Sequence, residues 1–203
     1  MKIYETRTAP NPRRVRIFLA EKQISDVEFI QLDLQNGDNL TADFQRKNPL
    51  KKVPVLELDD GQYISETVAI CRYFEEVNPN YPLMGSSPVE KAQIEMWQRW
   101  VEFYLFVPTG MCFQHTSGYF KDRMNPIKEW GEECRSQILK FMSIMNAHLQ
   151  ANEFLLGDKY CIADITAICA IDFNRVNRIT IPEECAHLLR WYSAVSSRPS
   201  AKV

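Results

Sequence analysis

Residues 48–67 constrain the fold more than any other part of the chain. Pro54 stands at the start of an apolar, strand-like run, where proline lowers the cost of a cis peptide bond to about 0.5 to 1 kcal/mol. A cis turn at this point leaves the main chain of Val53 free to bind a ligand. Residues 65–67, Ser-Glu-Thr, then predict a helix start with a capping hydroxyl, a first-turn carboxylate and free amides. This stretch can therefore hold an ammonium group and a carboxylate together.

The beginning of the chain predicts a βαβ unit. A short strand around Ile3 is followed by a helix to about Lys22, and Asn11 before Pro12 predicts a capped helix start. Four positions of this helix form one buried stripe: Val15, Phe18, Leu19 and Lys22. A half-buried strand follows, which is predicted by the alternation of Ile30, Leu32 and Leu34.

Residues 55–77 complete the first domain. Two short strands at 55–58 and 63–64 flank a polar turn and predict a hairpin. A closing helix places four side chains on one face: Ile70, Tyr73, Phe74 and Val77. This order of elements predicts a thioredoxin-like α/β domain over residues 1–78.

Pro79 and Pro82 end that helix and mark a linker at 79–87, because each proline disfavours helix at the residue before it. Beyond the linker we expect no strand, and helices are predicted near 89–107, 130–150, 162–176 and 187–196. The longest helix carries a core stripe of Ile138, Phe141, Met142, Met145 and Leu149. Residues 88–203 are therefore predicted to form an all-helical bundle, so that the fold class is α/β plus all-α.

Composition narrows the range of partners. The net charge of −2 provides no field that attracts nucleic acid or an anionic membrane. No apolar run approaches the ~20 residues of a membrane span, and the sequence begins with a strand rather than a signal peptide, so a cytoplasmic protein is expected. The six scattered cysteines are expected to be reduced and mostly buried. The three histidines are far apart in sequence and predict no metal site.

The order and spacing of these features resemble the cytosolic glutathione transferase family over essentially the whole chain. In that family a cis-proline turn holds the cysteinyl backbone of glutathione, which implies this role for Val53 and Pro54. An acidic-hydroxyl pair holds the γ-glutamyl end, which implies Glu66 and Thr67. Lys52 aligns with a position that often approaches the carboxylates of the peptide. The resemblance implies glutathione as co-substrate, a small electrophile as the second substrate, no metal, and a detoxifying homodimer.

The resemblance implies that the residue that activates the glutathione sulfur lies in the first βα turn. A free thiol is only a few per cent ionised at neutral pH, so its pKa has to be lowered by donors and positive potential. Tyr4 comes too early, within the predicted strand, which leaves Asn11 and Thr8 as donors. Residues 9–15 are most similar to bacterial members that place an asparagine near the sulfur. Two alternatives remain: Asn11 acts only as a helix cap, or Thr8 or backbone amides activate the sulfur.

Other residues receive structural or pocket roles. Three arginines of the first helix are interpreted as a solvated basic face rather than an anion site: Arg13, Arg14 and Arg16. The electrophile pocket is expected between the first domain and the helices after the linker, with Tyr104, Met111 and His115 as candidates. Cys161 stands where the family has Ser or Thr in a capping box with Asp164, which predicts a structural role for Asp164.

The expected activity is conjugation of the glutathione thiolate to small electrophiles. A first alternative is a glutathione-dependent disulfide reductase or peroxidase, in which a second glutathione resolves the disulfide because no cysteine precedes Cys71. A second alternative, of another class, is a non-catalytic binding or interaction protein that retains the fold, as elongation-factor relatives do.

Overall fold

The computed structural model describes all 203 residues, of which 1–202 form two compact units, Met1–Pro82 and Leu83–Lys202. The elements of the first unit are β1 (Lys2–Glu5), α1 (Pro10–Glu21), β2 (Glu28–Gln31), α2 (Ala42–Lys47), β3 (Val55–Glu57), β4 (Tyr63–Ser65) and α3 (Thr67–Val77). Those of the second are α4 (Pro88–Val101), a π-helical segment (Glu102–Phe106), α5 (Val107–Thr116), α6 (Lys128–Leu149), α7 (Ile162–Phe173) and α8 (Ala186–Ser196). The predicted fold class, a thioredoxin-like domain followed by helices, is confirmed.

The sheet of the first unit has the strand order β2-β1-β3-β4. β1 pairs in parallel with β2 and antiparallel with β3, and β3 and β4 form the predicted hairpin. The predicted alternation after α1 is correct for burial, because Ile30, Leu32 and Leu34 are all half-buried. The strand itself ends at Gln31, since Leu34 already lies in a turn.

Helix α1 buries its predicted stripe, including the lysine at the end of it. Lys22 is almost fully buried, and its ammonium donates to Glu75 Oε2 at 2.8 Å and to the Asn80 carbonyl at 2.7 Å. Glu75 therefore belongs to the buried face of α3. Val77, which was predicted on that face, is exposed because it is the last residue of the helix.

The interpretation of the α1 arginines as a solvated basic face is wrong for two of the three. Arg14 and Arg16 are buried, and Arg13 is half-buried. The Arg16 guanidinium pairs with the buried Glu5 carboxylate of β1 and donates to the Arg7 carbonyl at 2.7 Å. A partner eleven positions away in sequence compensates the buried charge, as buried ions require.

In the second unit, the helix predicted at 89–107 continues as α5 through the π-helical segment. The Val107 N–H donates to the Glu102 carbonyl five residues earlier, and Pro108 has no N–H with which to resume the α-helical pattern at the next position. Gly131 of α6 lets that helix approach α5 closely, because a Cβ at this position would meet the Thr116 side chain at 2.5 Å. The predicted core stripe of α6 is fully buried.

Asp164 is fully buried at the start of α7 and has the predicted structural environment. Its Oδ1 accepts from Trp191 Nε1 at 2.8 Å and from the Leu155 N–H at 3.1 Å, and its Oδ2 accepts from the Cys161 N–H at 3.0 Å. All six cysteines are buried and unbridged, as expected. None of the helices combines the length and the apolar character that crossing a bilayer would require.

Candidate functional site

Three chain segments meet at one edge of the sheet in the first unit. β1 runs antiparallel to β3, so the loop that leaves β1 toward α1 lies beside the turn that enters β3. β3 also runs antiparallel to β4, with Val55 opposite Ser65, so the start of α3 lies at the same edge. The starts of α1 and α3 and the turn before β3 therefore form one candidate site.

The turn before β3 contains the cis peptide bond that the sequence predicts, between Val53 and Pro54. No hydrogen bond within the chain engages the Val53 N–H or carbonyl, so both groups are available to an extended ligand. The buried Asn48 fixes the preceding loop, because its Nδ2 donates to the Lys52 carbonyl at 2.9 Å and its Oδ1 accepts from the Leu50 N–H at 3.0 Å. The Lys52 side chain is exposed.

The start of α3 differs in detail from the prediction. Ser65 is the last residue of β4, and the residue that precedes the helix is Glu66, so no side-chain hydroxyl caps α3. Glu66 has a φ of 71°, a conformation that non-glycine residues rarely adopt and that costs of order 1 to 3 kcal/mol. This backbone turn exposes the Glu66 carboxylate and leaves the first amides of α3 unpaired beside the buried Thr67.

The prediction that Asn11 caps α1 is wrong. The N-cap is Ala9, and the helix begins at Pro10, which makes Asn11 the second helical residue. Proline is favoured in the first turn of a helix, and both Pro10 and Pro12 meet this preference. The sequence is therefore compatible with a helix start at Pro10 as well as at Pro12. Because proline has no N–H, Asn11 supplies the only backbone donor among the first three helical positions.

The side-chain amide of Asn11 has a defined orientation. Its Oδ1 accepts from Arg14 Nη1 at 3.1 Å and from Thr67 Oγ1 at 3.3 Å. A guanidinium can only donate, so the Asn11 atom that faces it must be the oxygen. The Nδ2 donor consequently points away from both partners. Asn11 thus offers a side-chain N–H and a backbone N–H at a helix N-terminus, where the dipole also favours an anion.

Thr8, the other predicted donor, lies exposed in the turn between β1 and α1. The Ala9 N–H closes this turn on the Thr6 carbonyl at 3.0 Å, and Thr6 Oγ1 donates to the Leu32 carbonyl at 2.7 Å. Gln31 adds a second anchor, because its Oε1 accepts from the Arg7 N–H at 3.0 Å. The turn is therefore held in place by its neighbours while the Thr8 hydroxyl remains accessible.

Tyr4 lies in β1, as predicted, and its hydroxyl is already engaged. The phenol donates to Glu57 Oε2 at 2.5 Å, and the ammonium of Lys47 lies 5.3 Å from the ring centroid. Burial and the bond to Glu57 raise the pKa of Tyr4 to about 12, so the phenol stays neutral at physiological pH. Tyr4 thus stabilises the sheet and offers no donor to the candidate site.

The three residues predicted for the electrophile pocket lie on one continuous helical stretch of the second unit. Tyr104 is in the π-helical segment; the residue is 55% exposed, and its ring stacks on that of Phe141 with 6.0 Å between the centroids. Met111 and His115 are half-buried on α5, one helical turn apart. His115 Nδ1 accepts from the Ile127 N–H at 2.9 Å and so fixes the chain just before α6.

Sequence reasoning missed two residues that organise the site, Arg14 and Asn48. Arg14 is three residues after Asn11 on the same helix, a spacing at which side chains can meet, but its charge predicts a solvated face when the sequence is considered alone. Asn48 precedes Pro49, a dipeptide typical of turns, which could have indicated its role in the loop.

Comparison with known proteins identifies the family to which the chain belongs. A family model of the glutathione S-transferase N-terminal domain matches residues 8–77, and one of the C-terminal domain matches residues 110–199. The chain is 38% identical to "Glutathione S-transferase 2" of Saccharomyces cerevisiae, with 100% of this chain and 88% of that protein covered. It is 41% identical to the crystal structure of a glutathione S-transferase domain-containing protein of Marinobacter aquaeolei VT8, with a TM-score of 0.95 and coverage of 98% and 99%.

A further relative is "Probable elongation factor 1-gamma 1" of Arabidopsis thaliana, which is 30% identical over 89% of this chain. The chain spans only 45% of the length of that relative. The full-length identity to the yeast transferase and the two family models show that the chain belongs to the glutathione S-transferase family. The family and the glutathione transferase function expected from the sequence are thereby confirmed.

Proposed function

We propose that this protein conjugates glutathione to small electrophiles at the sheet edge described above. The observation that carries the proposal is the convergence of the α1 start, the cis Val53–Pro54 turn and the α3 start. Glutathione needs donors for its carboxylates, an acceptor for its ammonium group, a main-chain partner for its cysteinyl residue and a hydrogen-bond donor to its sulfur. Each of these groups has a chemically matched residue at this edge of the sheet.

The γ-glutamyl end of glutathione is assigned to the start of α3. Its ammonium pairs with the exposed Glu66 carboxylate, and its carboxylate accepts from the free amides of the first helical turn and from Thr67. The cysteinyl main chain pairs with the unengaged N–H and carbonyl of Val53 beside Pro54. Lys52 is assigned to the carboxylate at the other end of the peptide.

The sulfur is assigned to the start of α1. Asn11 donates from Nδ2 and from its backbone N–H, and the helix dipole adds positive potential, so the thiolate is favoured and the thiol pKa falls. Thr8 is a second donor on the preceding turn. The thiolate attacks the electrophilic carbon, a C–S bond forms, the leaving group departs with its electron pair, and the thiol proton passes to solvent. The protein supplies positioning and charge stabilisation and needs no nucleophile of its own.

Tyr104, Met111 and His115 are proposed to contact the electrophile. Their shared helical stretch presents an exposed aromatic ring, a flexible thioether and an imidazole, a combination suited to flat apolar molecules. We further propose a cytoplasmic homodimer with a role in detoxification, on the strength of family membership. A disulfide reductase that used a protein thiol is disfavoured, because every cysteine is buried.

A second candidate function is that of a non-catalytic interaction module, which the similarity to an elongation factor 1-gamma favours. Binding and turnover separate the two functions. A thermal melt with glutathione at 100 times its dissociation constant should show about 2.7 kcal/mol of stabilisation. The dipeptide cysteinylglycine, which lacks the γ-glutamyl group, is the control and should stabilise much less. Glutathione stabilisation without conjugation of an aryl halide would favour the interaction module, and no stabilisation would contradict the binding site.

A further inference from the structure

Asn11 Oδ1 accepts two hydrogen bonds, and the two donors are not equivalent. One comes from Arg14 Nη1 on the same helix, and the other from Thr67 Oγ1 at the start of α3. Thr67 belongs to the proposed carboxylate site, whereas Asn11 belongs to the proposed sulfur site. The two ends of the glutathione site are thus joined through one amide oxygen.

Binding of a carboxylate at the start of α3 changes this arrangement. A hydroxyl carries one proton, so Thr67 Oγ1 cannot fully serve Asn11 and a ligand carboxylate at the same time. The ionised carboxylate is the stronger acceptor and competes for that proton. When the ligand carboxylate takes this hydrogen bond, Asn11 Oδ1 keeps the bond from Arg14 Nη1 and loses the one from Thr67 Oγ1. The amide is then less restrained against a rotation that turns Nδ2 away from the sulfur.

Arg14 is suited to hold the amide through this change. Arg14 is 3% exposed, so water does not readily replace its contacts. A guanidinium can only donate, so Arg14 must keep an acceptor such as Asn11 Oδ1. The spacing of three residues on α1 fixes Arg14 next to Asn11 through the helix itself. We propose that Arg14 is a positioning residue: it keeps Asn11 Nδ2 directed at the glutathione sulfur when the Thr67 hydroxyl turns to the ligand. The inference rests on the proposed function for the assignment of the sulfur.

The first test observes the amide directly and needs no turnover. The side-chain NH₂ resonances of Asn11 are assigned by their absence in Asn11→Ala and are followed during titration with S-methylglutathione. In the wild type they stay sharp and discrete on saturation. In Arg14→Met they broaden or shift on saturation, whereas Arg14→Lys, which retains a cationic donor, gives an intermediate result. Arg13→Met, which removes the same charge one residue earlier, leaves them as in the wild type.

The second test measures coupling by kinetics. Arg14→Met should lower kcat about 5- to 10-fold, as expected for loss of a hydrogen bond worth roughly 1 kcal/mol in the transition state, while KM for glutathione changes less than about 2-fold. In the same variant, the pH at which half of the bound glutathione is ionised should rise. In an Asn11→Ala background, Arg14→Met should have no further effect, because both changes remove the same interaction.

The outcomes separate the two proposals. Unchanged Asn11 resonances in a folded Arg14→Met protein, or multiplicative effects in the double variant, would overturn the positioning role. If Arg14→Met does not fold, Arg14→Lys replaces it: the predicted result is intermediate, because one ammonium does not reproduce the planar guanidinium, and fully wild-type resonances and kcat in that variant overturn the role. Unchanged thiol ionisation in Asn11→Ala would instead remove Asn11 from the sulfur site, while the resonances would still report whether Arg14 orients the amide.

Discussion

Thr67 Oγ1 donates to Asn11 Oδ1 at 3.3 Å and joins the first turns of two helices that are 56 residues apart in sequence. Thr67 is the first residue of α3 and Asn11 the second of α1, so the contact connects two helix N-termini. Both termini favour anions, one proposed to be a carboxylate and the other a thiolate. The contact links the two proposed anion sites through the Asn11 amide oxygen and leaves Asn11 Nδ2 as a side-chain donor.

The first prediction separates the two functions of the Asn11 side chain. Asn11→Asp retains an oxygen for Arg14 and Thr67 and places a favourable negative charge in the first turn, so the free energy of unfolding should be preserved. The carboxylate has no N–H for the sulfur and repels the thiolate, so the apparent pKa of bound glutathione should rise by about one unit or more.

Asn11→Ala is the matched variant, because it loses the oxygen as well and should unfold more easily by about 1 to 2 kcal/mol. Ultraviolet absorbance of the thiolate against pH, together with conjugation of an aryl halide, provides the measurement. If Asn11→Asp ionises glutathione as the wild type does, then Thr8 or the backbone amides activate the sulfur.

The second prediction concerns the strained backbone at Glu66. With a φ of 71°, glycine should fit this position better, so Glu66→Gly should raise the free energy of unfolding by about 1 kcal/mol. Glu66→Ala keeps the strain and should leave stability near that of the wild type. Both variants lose the carboxylate and should bind glutathione more weakly by roughly 2 kcal/mol in calorimetry. Wild-type affinity in either variant would remove Glu66 from the γ-glutamyl site.

The third prediction tests the electrophile pocket at Tyr104. Its ring stacks on Phe141 yet is 55% exposed, so Tyr104→Ala should cost only about 1 kcal/mol of stability. The kcat/KM for an aryl halide should fall roughly 3- to 10-fold, because apolar contact with the substrate is lost, while affinity for glutathione is retained. Phe103→Ala is the control, since this neighbouring ring is 57% exposed. Equal losses in both variants would show that Tyr104 has no specific contact with the electrophile.

Periodicity and turn chemistry were enough to predict the fold. The α1 and α6 stripes, the β3–β4 hairpin and the cis bond before β3 all follow from local patterns. The sequence does not predict helix α2, because its six residues bury only Phe44. The helix is too short and too polar to show a hydrophobic period. Alternation gave the correct burial after α1 but not the end of β2, which depends on pairing with β1.

The errors at the site have a common physical origin in contacts between distant segments. The burial of Arg16 depends on Glu5, and the identity of the α1 N-cap depends on how the chain leaves β1 rather than on residues 9–12 alone. Ser65 was predicted to cap α3, but pairing with Val55 holds it in β4. These relationships exist only once the sheet has formed.

The fourth prediction concerns Cys161, the residue before α7. Its Sγ lies 3.3 Å from Asp164 Oδ2, and burial raises the pKa of the thiol, which therefore stays protonated. A serine hydroxyl is a stronger donor and a better helix cap, so Cys161→Ser should increase the free energy of unfolding by about 0.5 to 1 kcal/mol. Cys169→Ser, which alters a buried thiol inside the same helix, should destabilise instead. Chemical denaturation of both variants gives the comparison, and a destabilised Cys161→Ser would show that sulfur size matters more than capping there.

The last prediction is a pH dependence of stability that originates at Asp164. Complete burial raises the pKa of this carboxyl to about 6, despite the hydrogen bonds from Trp191, Leu155 and Cys161, which lower it. In the unfolded chain the carboxyl ionises at its ordinary value near 3.9, so between about pH 4 and 6 the native state binds the extra proton. Stability contributed by the protonated Asp164 is therefore fully present below about pH 4 and is lost as the pH rises to about 6, by up to about 3 kcal/mol.

Asp164→Asn removes this titration. The amide presents an NH₂ group toward neighbouring N–H donors, so the variant should be less stable at every pH. The stability gap between the wild type and Asp164→Asn should narrow as the pH rises from 4 to 6, and it should be constant above about pH 7. Urea denaturation at a series of pH values measures the gap, and subtraction of the two curves cancels the carboxylates that the proteins share. A gap that does not narrow over this interval would mean that the native carboxyl is already ionised at pH 4, held in that state by its four donors.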